Sequence, residues 1–93
     1  MIKSFGDKRS AAIFAGHAVR GMSLQLQKRA RVKMLVIDAA SQLGDLRAPP
    51  GNRLEALRGD RQGQHSIRVN DQWRICFVWL DHEASNVEIV DYH

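Results

Sequence analysis

Ninety-three residues with a mean hydropathy of −0.35 can bury one modest core, so a single domain is expected and a second is excluded. The formal charge of +4 is unevenly spread. Residues 1–46 carry eight Lys/Arg against three acids, residues 47–74 six against three, and residues 75–93 none against four, giving a basic body suited to phosphates or an acidic partner.

Uninterrupted apolar runs such as Met34 to Ile37 and Ile75 to Leu80 fall far short of the roughly 20 residues a membrane-spanning helix requires. The first residues, with Lys3, Asp7, Lys8 and Arg9 close together, contain no signal-peptide core. A soluble, cytoplasmic protein is therefore expected. The lone Cys76 excludes an internal disulfide and suits a buried apolar role, while His17, His65, His82 and His93 lack the spacing of a zinc site, so neither metal nor cofactor is expected.

Taken in order, Ile2, Ser4 and Phe5 form a short edge-strand candidate ended by Gly6-Asp7. Asp7 can cap a helix over Lys8 to Ala15, with Ile13 and Phe14 on its apolar face and Gly16 as its stop. Ser23 can cap a longer helix reaching Leu43, because Leu26, Ala30, Met34, Ile37, Ala40 and Leu43 recur at spacings of four and three, and Gly44 is placed as its C′ residue. Lys28 and Arg31 fall on the opposite face, as a solvated surface or a contact with a protein partner or RNA. Lys33 lies within the apolar stripe, with its ammonium expected to reach outward to water.

Pro49-Pro50-Gly51 makes residues 45–52 a connector without regular helix or central strand. In the next segment Leu54 and Leu57 are three apart; if both face inward the chain must bend, and Glu55 and Arg58 then emerge together on the outer side. The clearest pattern follows. His65, Ile67 and Val69 alternate with polar neighbours, Asn70-Asp71 is turn-forming, and Trp73, Ile75, Phe77 and Trp79 alternate again, which specifies a β-hairpin with both tryptophans packed in the core rather than stacked on bases. Asp81 to Asn86 is a polar loop before a last strand, Val87 to Val90. The order βααβββ is an α+β fold, two helices on one face of a small, mainly antiparallel twisted sheet with the concave face left open.

Four stretches in this order, Met1-Ile2-Lys3-Ser4-Phe5, the run from Arg53 to Asp60, Ser66-Ile67-x-Val69 with Trp73-Arg74-Ile75-x-Phe77, and Asp91-Tyr92-His93, resemble the HigB or plasmid maintenance killer toxins of the RelE/ParE superfamily. The resemblance spans essentially the whole chain. It implies a type II toxin that cuts mRNA on the translating ribosome without a metal and is neutralised by a HigA-type helix-turn-helix antitoxin. It also places the family's active-site positions on Glu55, Arg58, Arg74, Asp91, Tyr92 and His93, with Arg53, Arg61 and Arg68 as further RNA contacts.

Such cleavage needs a base for the 2′-OH, cations for the phosphorane and an acid for the leaving 5′ oxygen. His93 and Tyr92 can move protons, Arg74 and Arg58 can stabilise the phosphate, and Asp91 suits an orienting role. Where relatives often carry histidine and lysine, this chain has Glu55 and Arg58. A carboxylate beside a phosphate is unfavourable unless it is the base or pairs with Arg58. Two other functions fit the same scaffold: a ParE-like toxin that inhibits a topoisomerase, for which the last three residues are dispensable, and an RNA-binding relative in which Glu55 has abolished catalysis.

Overall fold

The computed structural model describes residues 1–92. Its elements are α1 (Lys8–Phe14), α2 (Leu24–Ala39), β1 (Glu55–Ala56), β2 (His65–Arg68), β3 (Trp73–Leu80) and β4 (Glu83–Asp91), with short 3-10 turns at Leu43–Arg47, Pro50–Asn52 and Gly59–Arg61. The four strands form one antiparallel sheet in the order β1-β2-β3-β4. The expected first strand is present only as two parallel bridges, Ile2 to Ala84 and Phe5 to Val87, which line the outer edge of β4. Gly6 follows immediately, where a Cβ would press on the Glu88 side chain.

Both helix starts are capped as expected. The Asp7 carboxylate accepts from Ser10 N at 2.7 Å and the Ser23 hydroxyl from Leu26 N at 3.1 Å, each satisfying an amide that the first turn leaves without a carbonyl. The end of α2 differs. It stops at Ala39, four residues before Leu43, because the Asp45 carboxylate accepts from Ser41 N and Gln42 N and turns the chain into a 3-10 segment that contains Gly44. Leu26, Ala30, Met34 and Ile37 on α2 and Ile13 on α1 pack on Ile67, Ile75, Phe77, Val87 and Ile89 of the sheet. Trp73 and Trp79 border this cluster as partly buried residues, Trp79 meeting Phe77 edge-on.

Three tertiary details depart from the sequence pattern. Lys33 is half-buried and finds a partner: its ammonium donates to Asn52 Oδ1, and burial, followed by repulsion from Arg29 and Arg68, pushes its pKa down. Leu54 packs against the main cluster whereas Leu57 is buried apart from it. The two leucines therefore do not share one interior. The face opposite the helices is also not wholly open, since Cys76 is fully buried there and Arg61 of the β1–β2 connection reaches Glu88 of β4 at 2.7 Å. Burial pushes the Cys76 thiol up.

Candidate active site

Strand pairing places the site. Asn70 fixes the β2–β3 turn by accepting from the amides of Gln72 at 2.9 Å and Trp73 at 2.8 Å, and the resulting register sets Ile67 opposite Ile75 and Arg68 opposite Arg74. Because side chains alternate across a pleat, sending Ile75 into the core sends Arg74 to the other face, beside Ser66 and the edge residue Glu55, which is itself paired with Ser66.

Arg74 is only 9% exposed although it is charged, and polar contacts account for it. Its Nε donates to Ser66 Oγ at 2.7 Å, Nη2 donates to the carbonyls of Arg53 and Ser66 at 2.5 and 3.3 Å, and Glu55 Oε1 stands 3.4 Å from Nε. Arg53 sits in the left-handed region at φ 45°, which turns its carbonyl towards the guanidinium. The ring of Tyr92 lies 6.0 Å from the Arg74 guanidinium carbon. A guanidinium held on Nε and Nη2 is fixed in orientation, and Nη1 has no hydrogen-bond partner among the described residues.

These groups line a polar cleft of about 280 Å³ whose walls include Arg53, Glu55, Arg68, Arg74 and Tyr92, with Asn70 and Asp71 at one end. Three guanidinium groups face two carboxylates, and one of those carboxylates, Asp71, is engaged by Arg68. The cleft thus offers an anion the Nη1 edge of Arg74 beside the Arg53 and Arg68 guanidinium groups.

The structure brings together Glu55, Arg74 and Tyr92 with Arg53 and Arg68. It does not bring Arg58, Arg61 or Asp91 to this cleft. Arg58 does not line the cleft, and Glu55 pairs with Arg74 instead. Arg61 is turned to Glu88, whose hydrogen bond holds the guanidinium in its charged form. Asp91, opposite Trp73 in the ladder, points to the other face and accepts from Gln72 Nε2 at 3.1 Å. His93 lies outside the described residues. Sequence reasoning assigned no site role to Ser66 and Asn70. Asn70 carries a local signal as a turn asparagine, but only the closed hairpin shows what Ser66 and Asn70 touch.

Among the described residues no three His, Cys, Asp or Glu side chains cluster as a metal site would require, and no helix is long and apolar enough to cross a membrane.

The class these features define is a small α+β domain that holds a fixed arginine in an anion cleft on the sheet face away from its helices. Residues 3–93 match the family described as RelE-like toxins of type II toxin-antitoxin system HigB, and the chain belongs to that family. The chain is 34% identical over its full length, and the relative's, to "Endoribonuclease HigB" of Proteus vulgaris. It is 52% identical over 54 residues to "Toxin HigB-1" of Vibrio cholerae, a match covering 58% of this chain and 57% of that toxin. Among solved structures, the toxin fold is shared with the YoeB-YefM complex from Staphylococcus aureus at a TM-score of 0.63 and 14% identity, covering 100% of this chain and 98% of that one. YafQ from E. coli is similar at a TM-score of 0.59 and 12% identity, covering 98% and 93%. At these identities the two structures speak for the fold alone.

Proposed function

We propose that this protein is an endoribonuclease of the cytoplasm that cuts mRNA on the translating ribosome and is neutralised by a HigA-type helix-turn-helix antitoxin. The observation that carries the reading is Arg74, buried and oriented by Ser66 and the Arg53 carbonyl, with Glu55 and Tyr92 against it in one cleft.

In this reading a phosphodiester enters the cleft and Arg74, Arg53 and Arg68 surround its non-bridging oxygens. The Glu55 carboxylate accepts the 2′-OH proton as the 2′ oxygen bonds to phosphorus. Arg74 offsets the repulsion between that carboxylate and the phosphate and stabilises the charge of the phosphorane. The bond to the 5′ oxygen then breaks, leaving a 2′,3′-cyclic phosphate on one fragment. The departing oxygen takes a proton from Tyr92 or His93. Arg58 and Arg61, outside the cleft, contribute to the wider field that attracts RNA.

The antitoxin half of the reading is supported by the outer face of α2, where Leu24, Val32 and Leu35 are exposed among Lys28, Arg29 and Arg31. Apolar anchors rimmed by cations fit an acidic, amphipathic partner segment.

Single-turnover cleavage of a ribosome-bound mRNA by the wild type, Glu55→Gln and Glu55→His tests the mechanism. The glutamine variant should be about 10² to 10⁴ slower, the usual cost of losing an acid-base group, and the histidine variant active. A glutamine variant as fast as wild type removes Glu55 from proton transfer. Growth arrest relieved by co-expressing a helix-turn-helix antitoxin, with mRNA 5′ ends inside codons, tests the cellular part. Arrest without such ends would instead favour topoisomerase inhibition.

A further inference from the structure

The Arg53 carbonyl that receives Arg74 Nη2 belongs to a residue in the left-handed region, at φ 45° and ψ 56°. A residue with a side chain keeps that backbone only where its surroundings impose it. Arg53 is itself exposed, so the hold comes from its neighbours. On one side stands Leu54, packed against the core, and on the other Asn52, a polar residue at 0% exposure.

Asn52 uses both ends of its side-chain amide. Nδ2 donates to the carbonyls of Leu46 at 3.2 Å and Ala48 at 3.1 Å, and Oδ1 accepts from the Lys33 ammonium on α2. Its backbone amide donates to Pro49 O at 2.9 Å, and the next amide, that of Arg53, donates to Pro50 O at 3.2 Å. One side chain thereby ties α2 and the Leu43–Arg47 turn to the Pro50–Asn52 turn, one residue before the carbonyl that meets Arg74. The position calls for donors and an acceptor on one short side chain, which asparagine supplies. A carboxylate has no N–H for the two carbonyls, and an apolar side chain leaves them and the ammonium without this partner.

Neither Asn52 nor Lys33 has a part in the mechanism above. We propose that Asn52 is a positioning residue of the arginine cleft: anchored on α2 through Lys33, it fixes the left-handed turn at Arg53 and so aims the Arg74 guanidinium. Ser66 holds that guanidinium from within the hairpin, whereas the Arg53 carbonyl holds it from the connector and makes the shorter of the two contacts on Nη2, 2.5 Å against 3.3 Å. Without the Arg53 carbonyl, Arg74 stays charged and tethered at Nε, but its fork can swing. The effect on catalysis rests on the ribonuclease reading; the orientation of Arg74 does not.

Two variants test it. Asn52→Leu keeps the size of the side chain and removes its three hydrogen bonds, and Lys33→Met keeps the packed stem and removes the ammonium. In single-turnover cleavage of a ribosome-bound mRNA, Asn52→Leu should lower the saturating rate about ten- to a hundredfold, the range of one hydrogen bond to a charged group, with half-saturation moved by less than about twofold. Lys33→Met should lose about two- to tenfold in the same way. Added to Arg74→Ala, Asn52→Leu should cost nothing further, because its effect passes through that guanidinium.

A second readout needs no RNA. In the nitrogen-labelled protein the two Arg74 Nη signals should be resolved from each other, since Nη2 is held, and should merge in Asn52→Leu. Rate losses that add in the Arg74→Ala background, or Nη signals that stay resolved in Asn52→Leu, overturn the assignment and make Asn52 structural only. If Asn52→Leu does not fold, Lys33→Met decides: an unchanged rate with unchanged Nη signals overturns the assignment, and a slower rate with broadened Nη signals upholds it. If the wild type cuts no RNA, the ribonuclease reading fails and the Nη signals alone decide whether Asn52 orients Arg74.

Discussion

Strands β2, β3 and β4 carry two surfaces on one pleat. Facing the helices, Ile67, Ile75 and Ile89 lie side by side at 0 to 1% exposure, closed over by Met34 and Ile37. One residue along, the same strands turn Ser66, Arg74 and Val90 to the other face, where Arg74 reaches 9% exposure through hydrogen bonds to Ser66 and Arg53 and an ion pair with Glu55. The apolar face tolerates replacement by anything of similar shape, since dispersion and burial are non-directional. The polar face does not. The buried charge of Arg74 is held by named atoms, and removing any of them changes where the guanidinium points.

The largest expected effect breaks the apolar face. Ile75→Ala should lower stability by about 2–5 kcal/mol, read from the urea midpoint, because it leaves a cavity beneath α2. Arg74→Ala, one position earlier in the chain, should keep most of the fold yet reduce single-turnover RNA cleavage by about 10² to 10³, and Arg74→Lys should recover little of it because a point charge cannot reproduce the fork. Thermal melting alongside the kinetics separates the two faces: a rate lost in proportion to stability would mean that Arg74 is structural only.

Ser66→Ala should have a smaller effect, about tenfold in cleavage, corresponding to one hydrogen bond to a charged group. Addition of free guanidinium should not restore it, whereas Ser66→Thr, which keeps the hydroxyl, should. Smallest is a pH effect at Cys76, on the polar side of the pleat. Burial, opposed by Arg61 and Arg74 and reinforced by Glu88 and Glu55, leaves its thiol with a pKa above the unfolded value. The stability that burial confers is then complete below the ordinary thiol value of about 8.5 and declines as pH rises above it. Cys76→Ala should flatten that decline in denaturation measured from pH 8 to 10.

Much of the architecture is written in local pattern. Asp7 and Ser23 announce their helices because a cap satisfies amides three residues away, and the alternation through Ile67, Ile75 and Phe77 announces the hairpin because a pleat repeats every two residues. The same logic overran the end of α2, where Leu43 continues the helical spacing but the Asp45 carboxylate offers Ser41 N and Gln42 N a better partner. It also put Glu55 with Arg58, since nothing within the segment from Arg53 to Asp60 shows that Glu55 pairs with Arg74.

By itself, then, the sequence determined the helices, the hairpin, which faces are apolar and the presence of six arginines in residues 47–74. Only the tertiary structure decided which of those arginines matter together. Arg74 meets Arg53 across 21 residues, Arg61 meets Glu88 across 27, and Arg58 does not line the cleft. Secondary structure follows from contacts within one or two turns of chain, whereas the partner of a long, flexible cation is chosen by whichever carboxylate or carbonyl the closed sheet brings within hydrogen-bond reach.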